Sequence, residues 1–246
     1  MSAPAPSSTV RRSVLFVLVS LSRWTAILAV LTLIGVTGYA LATSTPTRSA
    51  DVPRFKPQFG LIAQPEGRPR HPRVGIVAGH WGNDSGAVCE DGLTEQEVNF
   101  DIARRIMALL EARRYEVDLL QEFDPRLTGY QADALVSIHA DSCDYINDIA
   151  TGFKVARSVA SYTPEAEDRL VRCLIDQYEA ATGLGFHESS ITPDMTSYHT
   201  FSEVAPETPA VIIEIGFLYL DRGILTGQPD RVASGITDGI VCFIGK

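Results

Sequence analysis

Three short apolar runs constrain this chain most: RVGIVAG at 73–79, ALVSIHA at 134–140 and PAVIIEIGFLYL at 209–220. Each is rich in β-branched residues and apolar at consecutive positions, the pattern of strands buried on both faces of a parallel sheet. YEVDLL (115–120) and GFKVARS (152–158) are weaker strand candidates. Helical patterns fill the intervals. Val98, Ile102, Ile106, Leu109 and Leu110 share one helix face, and Thr94 with Glu97 three residues later makes a capping box at its start. A second helix is expected from about Pro164 to Ala181, with Leu170, Cys173, Leu174 and Tyr178 along one side. A third is expected over Pro229 to Phe243. Strands alternating with helices predict a single α/β domain with a mainly parallel central sheet flanked by helices.

The rest of the chain is organised differently. Residues 1–50 carry four arginines and no acid, so residues 51–246 hold all 30 acidic residues against 17 of the 21 basic ones, a net charge of −13. Nucleic-acid phosphates would repel such a domain, which excludes them as a partner class. Residues 24–42, WTAILAVLTLIGVTGYALA, are 19 residues without a charge. At about 1.5 Å per residue they approach the roughly 30 Å of a bilayer core. A shorter apolar stretch precedes them within residues 1–23, and three arginines on that side predict a cytoplasmic N-terminus and an exported domain. The expectation is a retained membrane anchor; Ala40-Leu41-Ala42 also fits a signal-peptidase site, with secretion as the alternative. Residues 43–72 hold six of the 14 prolines and read as an extended spacer, leaving 73–246 as one folded domain.

Ligands of parallel α/β sheets bind at the carboxyl ends of strands, and His80, His139 and Glu214 all lie at or near such ends. Glu95 opens the first helix, where the dipole favours its ionised form. Hydrolytic zinc takes three His or carboxylate ligands and leaves a position for water. His80, Glu95 and His139 supply such a set. The neighbouring Glu97 is accounted for by the capping box. Glu214 stands between Ile213 and Ile215, where an unpaired carboxylate is costly to bury; beside a metal-bound water it would serve as base and then acid. The competing reading makes the two histidines ordinary strand-end residues and Glu214 part of a structural salt bridge.

The segments GHWGNDSGAV, GLTEQEVNFDIARRI, ALVSIHAD and TPAVIIEIGFL resemble, in order, the four signature blocks of the zinc-dependent N-acetylmuramoyl-L-alanine amidases of bacterial cell walls. The resemblance covers roughly residues 73–244. It implies zinc ligation by His80, Glu95 and His139, catalysis by Glu214, and peptidoglycan as substrate. The bond cleaved would join the lactyl group of N-acetylmuramic acid to L-alanine of the stem peptide. One departure stands out: the family often carries a Thr-Arg pair after the second strand, and LLQEFDPRLTGYQAD lacks it. There is also no room between Asp141 and Pro209 for a long inhibitory insertion, and the sequence names no activator protein. A zinc carboxypeptidase acting on wall peptides and a catalytically silent peptidoglycan-binding protein are the rival functions.

Other residues have narrower roles. His199 is a candidate substrate contact with loop hydrogen bonding as its alternative, and Tyr198 and Phe201 face the same choice against core packing. His71 and His187 read as solvent residues. Asp84 and Ser85 are expected to shape the glycine loop, and Asn99 either supports the site or lies on the helix surface. Cys89 and Cys143 follow the two ligand histidines, so a disulfide between their loops is expected in an exported protein, with metal-bound thiolates as the rival. Cys173 and Cys242, on apolar helix faces, are expected to be buried free thiols.

Overall fold

The computed structural model describes residues 70–245. Five strands form one sheet: β1 (Arg73–Ala78), β2 (Glu116–Leu120), β3 (Ala134–Asp141), β4 (Lys154–Arg157) and β5 (Ala210–Phe217). Their spatial order is β2-β1-β3-β5-β4. The first four positions pair in parallel, while β4 runs antiparallel along the edge of β5. The sheet is therefore mixed. All five expected strands are present, within a few residues of their expected ends.

Three long helices follow the periodicity of the sequence: α1 (Glu95–Ala112), α2 (Pro164–Thr182) and, near the chain's end, α6 (Pro229–Ile244). Between α2 and β5 lie the one-turn helices α3 (Pro193–Thr196) and α4 (Thr200–Glu203), and after β5 comes α5 (Arg222–Gly227). The capping box of α1 forms as expected: Thr94 Oγ1 accepts from the Glu97 amide, and the Glu97 carboxylate accepts from the Thr94 amide at 3.0 Å.

Strand alternation divides the core unequally. Val74, Ile76, Val136, Ile138, Val211 and Ile213 face the three long helices in the main core. Val77, Leu135 and Ala210 point to the other face, which is covered by the loop around Leu127 and Tyr130 and by the stretch from Met195 to Val204. The long helices thus flank one face rather than two. In register, β3 and β5 set His139 directly beside Glu214. Both belong to the series Leu135–Ser137–His139 and Ile212–Glu214, so they emerge on the face without long helices.

The apolar faces of α2 and α6 meet closely because Gly235 and Gly239 lie in the contact: a Cβ on Gly239 would stand 2.8 Å from the Leu174 side chain. The same approach brings the Cα atoms of Cys173 and Cys242 to 5.8 Å, and the two are disulfide-bonded. They are not the free thiols expected from sequence. Each cysteine sits on an apolar face, as read, but the two faces pack on each other, a relation that helix periodicity alone does not contain. Among the described residues no helix is long and apolar enough to cross a membrane. The expected anchor or signal segment at 24–42, and the spacer up to residue 69, lie outside them.

Candidate metal and catalytic centre

β1 ends at Ala78, and the chain turns sharply: His80 takes a left-handed backbone (φ 66°), uncommon for a residue with a side chain and characteristic of functional turns. The turn is held by its own amide, which donates to Glu122 Oε2 at 2.7 Å. The ring is fixed through Nδ1, 2.6 Å from Asp84 Oδ1, and that carboxylate also accepts from the Gly86 amide at 2.8 Å. The Gly86 amide and then His80 keep the Asp84 carboxyl below its usual range. Asp84 therefore does more than shape the loop; it orients the imidazole, leaving Nε2 towards Glu95 at 3.2 Å.

Glu95, at the first turn of α1, is buried and bonded on both oxygens. Oε1 accepts from Asn99 Nδ2 and the Ala140 amide, each at 3.1 Å, and Oε2 accepts from the Ala87 amide at 3.1 Å. His139 Nδ1 lies 3.2 Å from Oε1. Burial works against the charge, but the two imidazoles outweigh it and hold the carboxyl far below its usual range. Asn99 is fully buried and also donates to the Gly79 carbonyl, so its role is support of the site rather than helix surface.

His80, Glu95 and His139 each present a ligand atom within 4.8 Å of the other two. Ligands 2.0–2.2 Å from a tetrahedral zinc stand roughly 3.5 Å apart, so the set fits with small adjustment. The space around it is cut to size. A Cβ on Gly79 would lie 2.5 Å from the His139 ring, and one on Gly86 would lie 2.6 Å from Glu95 Oε2 and 2.7 Å from the His80 ring. Two imidazoles and one carboxylate are a donor set for a borderline divalent ion. The thiolate alternative is closed, because Cys89 and Cys143 are bonded to each other, with Cα atoms 5.1 Å apart. That bridge joins the loops following the two histidines, as expected.

Glu214 is part-buried, yet its Oε2 is enclosed and has no hydrogen-bond partner among the described residues. Burial pushes its carboxyl up to about 7; His139 opposes that, and the neighbouring Asp141 and Glu95 carboxylates add to it. Asp141 is itself paired with the buried Lys154 at 2.8 Å, and Lys154 lies opposite Glu214 in the β4–β5 register. Among the described residues no salt bridge holds Glu214. A carboxyl poised near neutrality beside a metal-ligand set is equipped to take and return a proton.

Glu122 is the residue that sequence reading missed. Buried just beyond β2, it accepts from the His80 amide and from Tyr198 Oη at 2.8 Å, and lies 2.9 Å from His199 Nε2 and 3.5 Å from His139 Nε2. Tyr198 Oη is also 3.3 Å from His139 Nε2. His199 therefore reaches the centre through Glu122, with Glu203 on its other nitrogen at 2.8 Å and Phe123 stacked on its ring at 4.2 Å. The strand-end rule that selected His80 and His139 also applies to QEFD after β2, but that stretch stood out only for the pair it lacks. Phe201 packs in the minor cores, His187 bonds to Ser190, and His71 is exposed.

Residues 74–242 match the model of a family described as N-acetylmuramoyl-L-alanine amidase. Among curated relatives, the amidase LytC of Bacillus subtilis is 29% identical over 193 residues, which are 71% of this chain and 36% of LytC. A second, the amidase AmiC of Neisseria meningitidis, is 35% identical over 82 residues, 30% of this chain and 20% of AmiC. The chain thus spans about a third or less of the curated relatives it matches. The CwlD amidase of Clostridioides difficile, solved in complex with the GerS lipoprotein, superimposes with a TM-score of 0.58 at 18% identity, covering 71% of this chain and 99% of that one. The catalytic domain of CwlV, an amidase of Bacillus (Paenibacillus) polymyxa, gives 0.54 at 25% identity, covering 71% and 98%.

Proposed function

Because the chain belongs to the N-acetylmuramoyl-L-alanine amidase family, we propose that it hydrolyses the amide between N-acetylmuramic acid and L-alanine in peptidoglycan, with zinc as cofactor. The observation that carries this reading is the enclosed, unpartnered Glu214 oxygen in register with His139, beside the convergent His80 and Glu95. His80, Glu95 and His139 would hold the ion, which would supply Lewis-acid polarisation of the scissile carbonyl and a lowered pKa for the attacking water. Glu214 takes the proton of the attacking water and delivers it to the nitrogen of L-alanine as the C–N bond breaks. The products are a lactyl carboxylate on the sugar and a free amino terminus on the peptide. Asp84 and Glu122 keep the two imidazoles in place.

The sequence supports an extracytoplasmic place of action: the uncharged 24–42 segment follows three arginines, and all four cysteines lie in disulfides, bonds that persist in oxidising compartments. The reading is a domain tethered to the membrane by that segment. The test is end-group analysis of purified peptidoglycan after digestion. New amino-terminal L-alanine is the expected result. Released terminal D-alanine would make the protein a carboxypeptidase, and no new end group would make it a binder.

A further inference from the structure

Among the described residues, nine large apolar side chains stand exposed, and seven of them lie on loops leaving the carboxyl ends of β1, β2, β3 and β5. The other two, Val159 and Tyr162, follow β4, which runs the opposite way. The rim of the catalytic end is therefore where this acidic domain keeps its uncovered apolar surface. Part of that surface is a tyrosine pair. Tyr145 and Tyr219 are 55% and 50% exposed, with ring centroids 5.5 Å apart in an edge-to-face arrangement. Tyr145 Oη donates to Asp148 at 2.8 Å, which fixes that ring. The two residues follow His139 and Glu214 on neighbouring strands by six and five positions, so the pair lies at the same carboxyl end of the sheet as the catalytic centre.

We propose that Tyr145 and Tyr219 form a platform for the N-acetylhexosamine rings of the glycan strand. The proposal rests on the amidase reading and names the part of the substrate held on this side of the centre. The pair lines a cleft of about 540 Å3 together with the Cys89–Cys143 bridge, Glu90, Asp91 and Asp144, a volume in the range of small-ligand sites. Its charge decides between the two halves of the substrate. The one cation in the lining, Arg222, is tied to Asp91 at 3.1 Å, so Glu90 and Asp144 leave the cleft negative. The terminal carboxylate of a stem peptide is repelled there. A muramic ring whose lactyl carboxyl is engaged in the amide is neutral, and its C–H faces suit exposed aromatic rings. Its hydroxyls can donate to the surrounding carboxylates. The disulfide beneath holds the loops of Glu90 and Tyr145 together, so the platform is built before substrate arrives.

Calorimetric titration of the full protein with tetra-N-acetylchitotetraose tests this directly. The probe is neutral, carries the same ring backbone and contains no lactyl amide to be cleaved. Saturable one-to-one binding is expected, weakened about tenfold by Tyr219→Ala or Tyr145→Ala, the measure of one lost aromatic contact. Tyr219→Phe keeps the ring and should bind within about twofold of the wild type, which separates loss of stacking from misfolding. Absence of binding to the wild type, or equal binding by Tyr219→Ala, overturns the platform. The amidase reading stands or falls separately: a protein that frees L-alanine ends but ignores the probe loses only the platform. One that binds the probe through these tyrosines yet frees no ends keeps it.

Discussion

At the scale of single residues, the centre is defined by what each ligand's second partner is. Glu95 is bonded on both oxygens and His80 is clamped between Asp84 and the Glu122-held backbone. Glu122 makes the clearest residue-level prediction, because it touches neither the proposed ion nor the scissile bond. Glu122→Gln preserves size and an acceptor for the His80 amide but removes the charge facing His139 and His199. Zinc affinity, measured by competition with a chromogenic chelator, should fall about 10–100-fold with the fold intact. An unchanged affinity would make Glu122 a packing residue. Gly79→Ala is a steric counterpart: its methyl would meet the His139 ring at 2.5 Å. The expected result is loss of bound zinc at a stability cost of about 1–3 kcal/mol, read by metal analysis beside thermal unfolding. His80, Glu95, His139 and Glu214 were legible in sequence because each is a chemically costly residue at or near a strand or helix end. Glu122 and Asp84 were not, because acids in polar loops are common and only their partners distinguish them.

At the scale of elements, the strands and long helices were readable from periodicity, since burial dictates it. What periodicity omits is which faces meet. The antiparallel course of β4 depends on the loop from Cys143 to Gly152 carrying the chain back, and no pattern within GFKVARS encodes direction. The α2–α6 contact, and with it the Cys173–Cys242 bridge, likewise arises only when two separately amphipathic helices pack. The two disulfides are thus predicted to act differently. Replacing Cys173 and Cys242 with serine should cost about 2–4 kcal/mol in denaturant unfolding while leaving zinc content and turnover near wild type, because the bridge lies within the helical layer. Cys89→Ser should instead weaken zinc binding more than it weakens folding, because that bridge ties the loops after His80 and His139. Equal effects of the two changes on metal content would contradict this division.

At the scale of the whole molecule, an acidic α/β domain follows a basic, apolar segment in sequence, and the proposal is that the domain acts outside the membrane on the wall. If residues 24–42 remain as an anchor, the protein should stay with membranes through high-salt and carbonate washes while the domain is open to external protease; a mature N-terminus at Thr43 would make it a secreted enzyme. The central claim is narrower: three residues hold the metal, and a fourth, on the neighbouring strand, moves the proton. Glu214→Gln tests it in one preparation, with zinc content and L-alanine release measured side by side. The expected result is about one zinc per chain, retained by His80, Glu95 and His139, with turnover lowered by ~10²–10⁴. Loss of zinc from this variant would make Glu214 a ligand, and full turnover would move the proton to another group; either result contradicts the assignment.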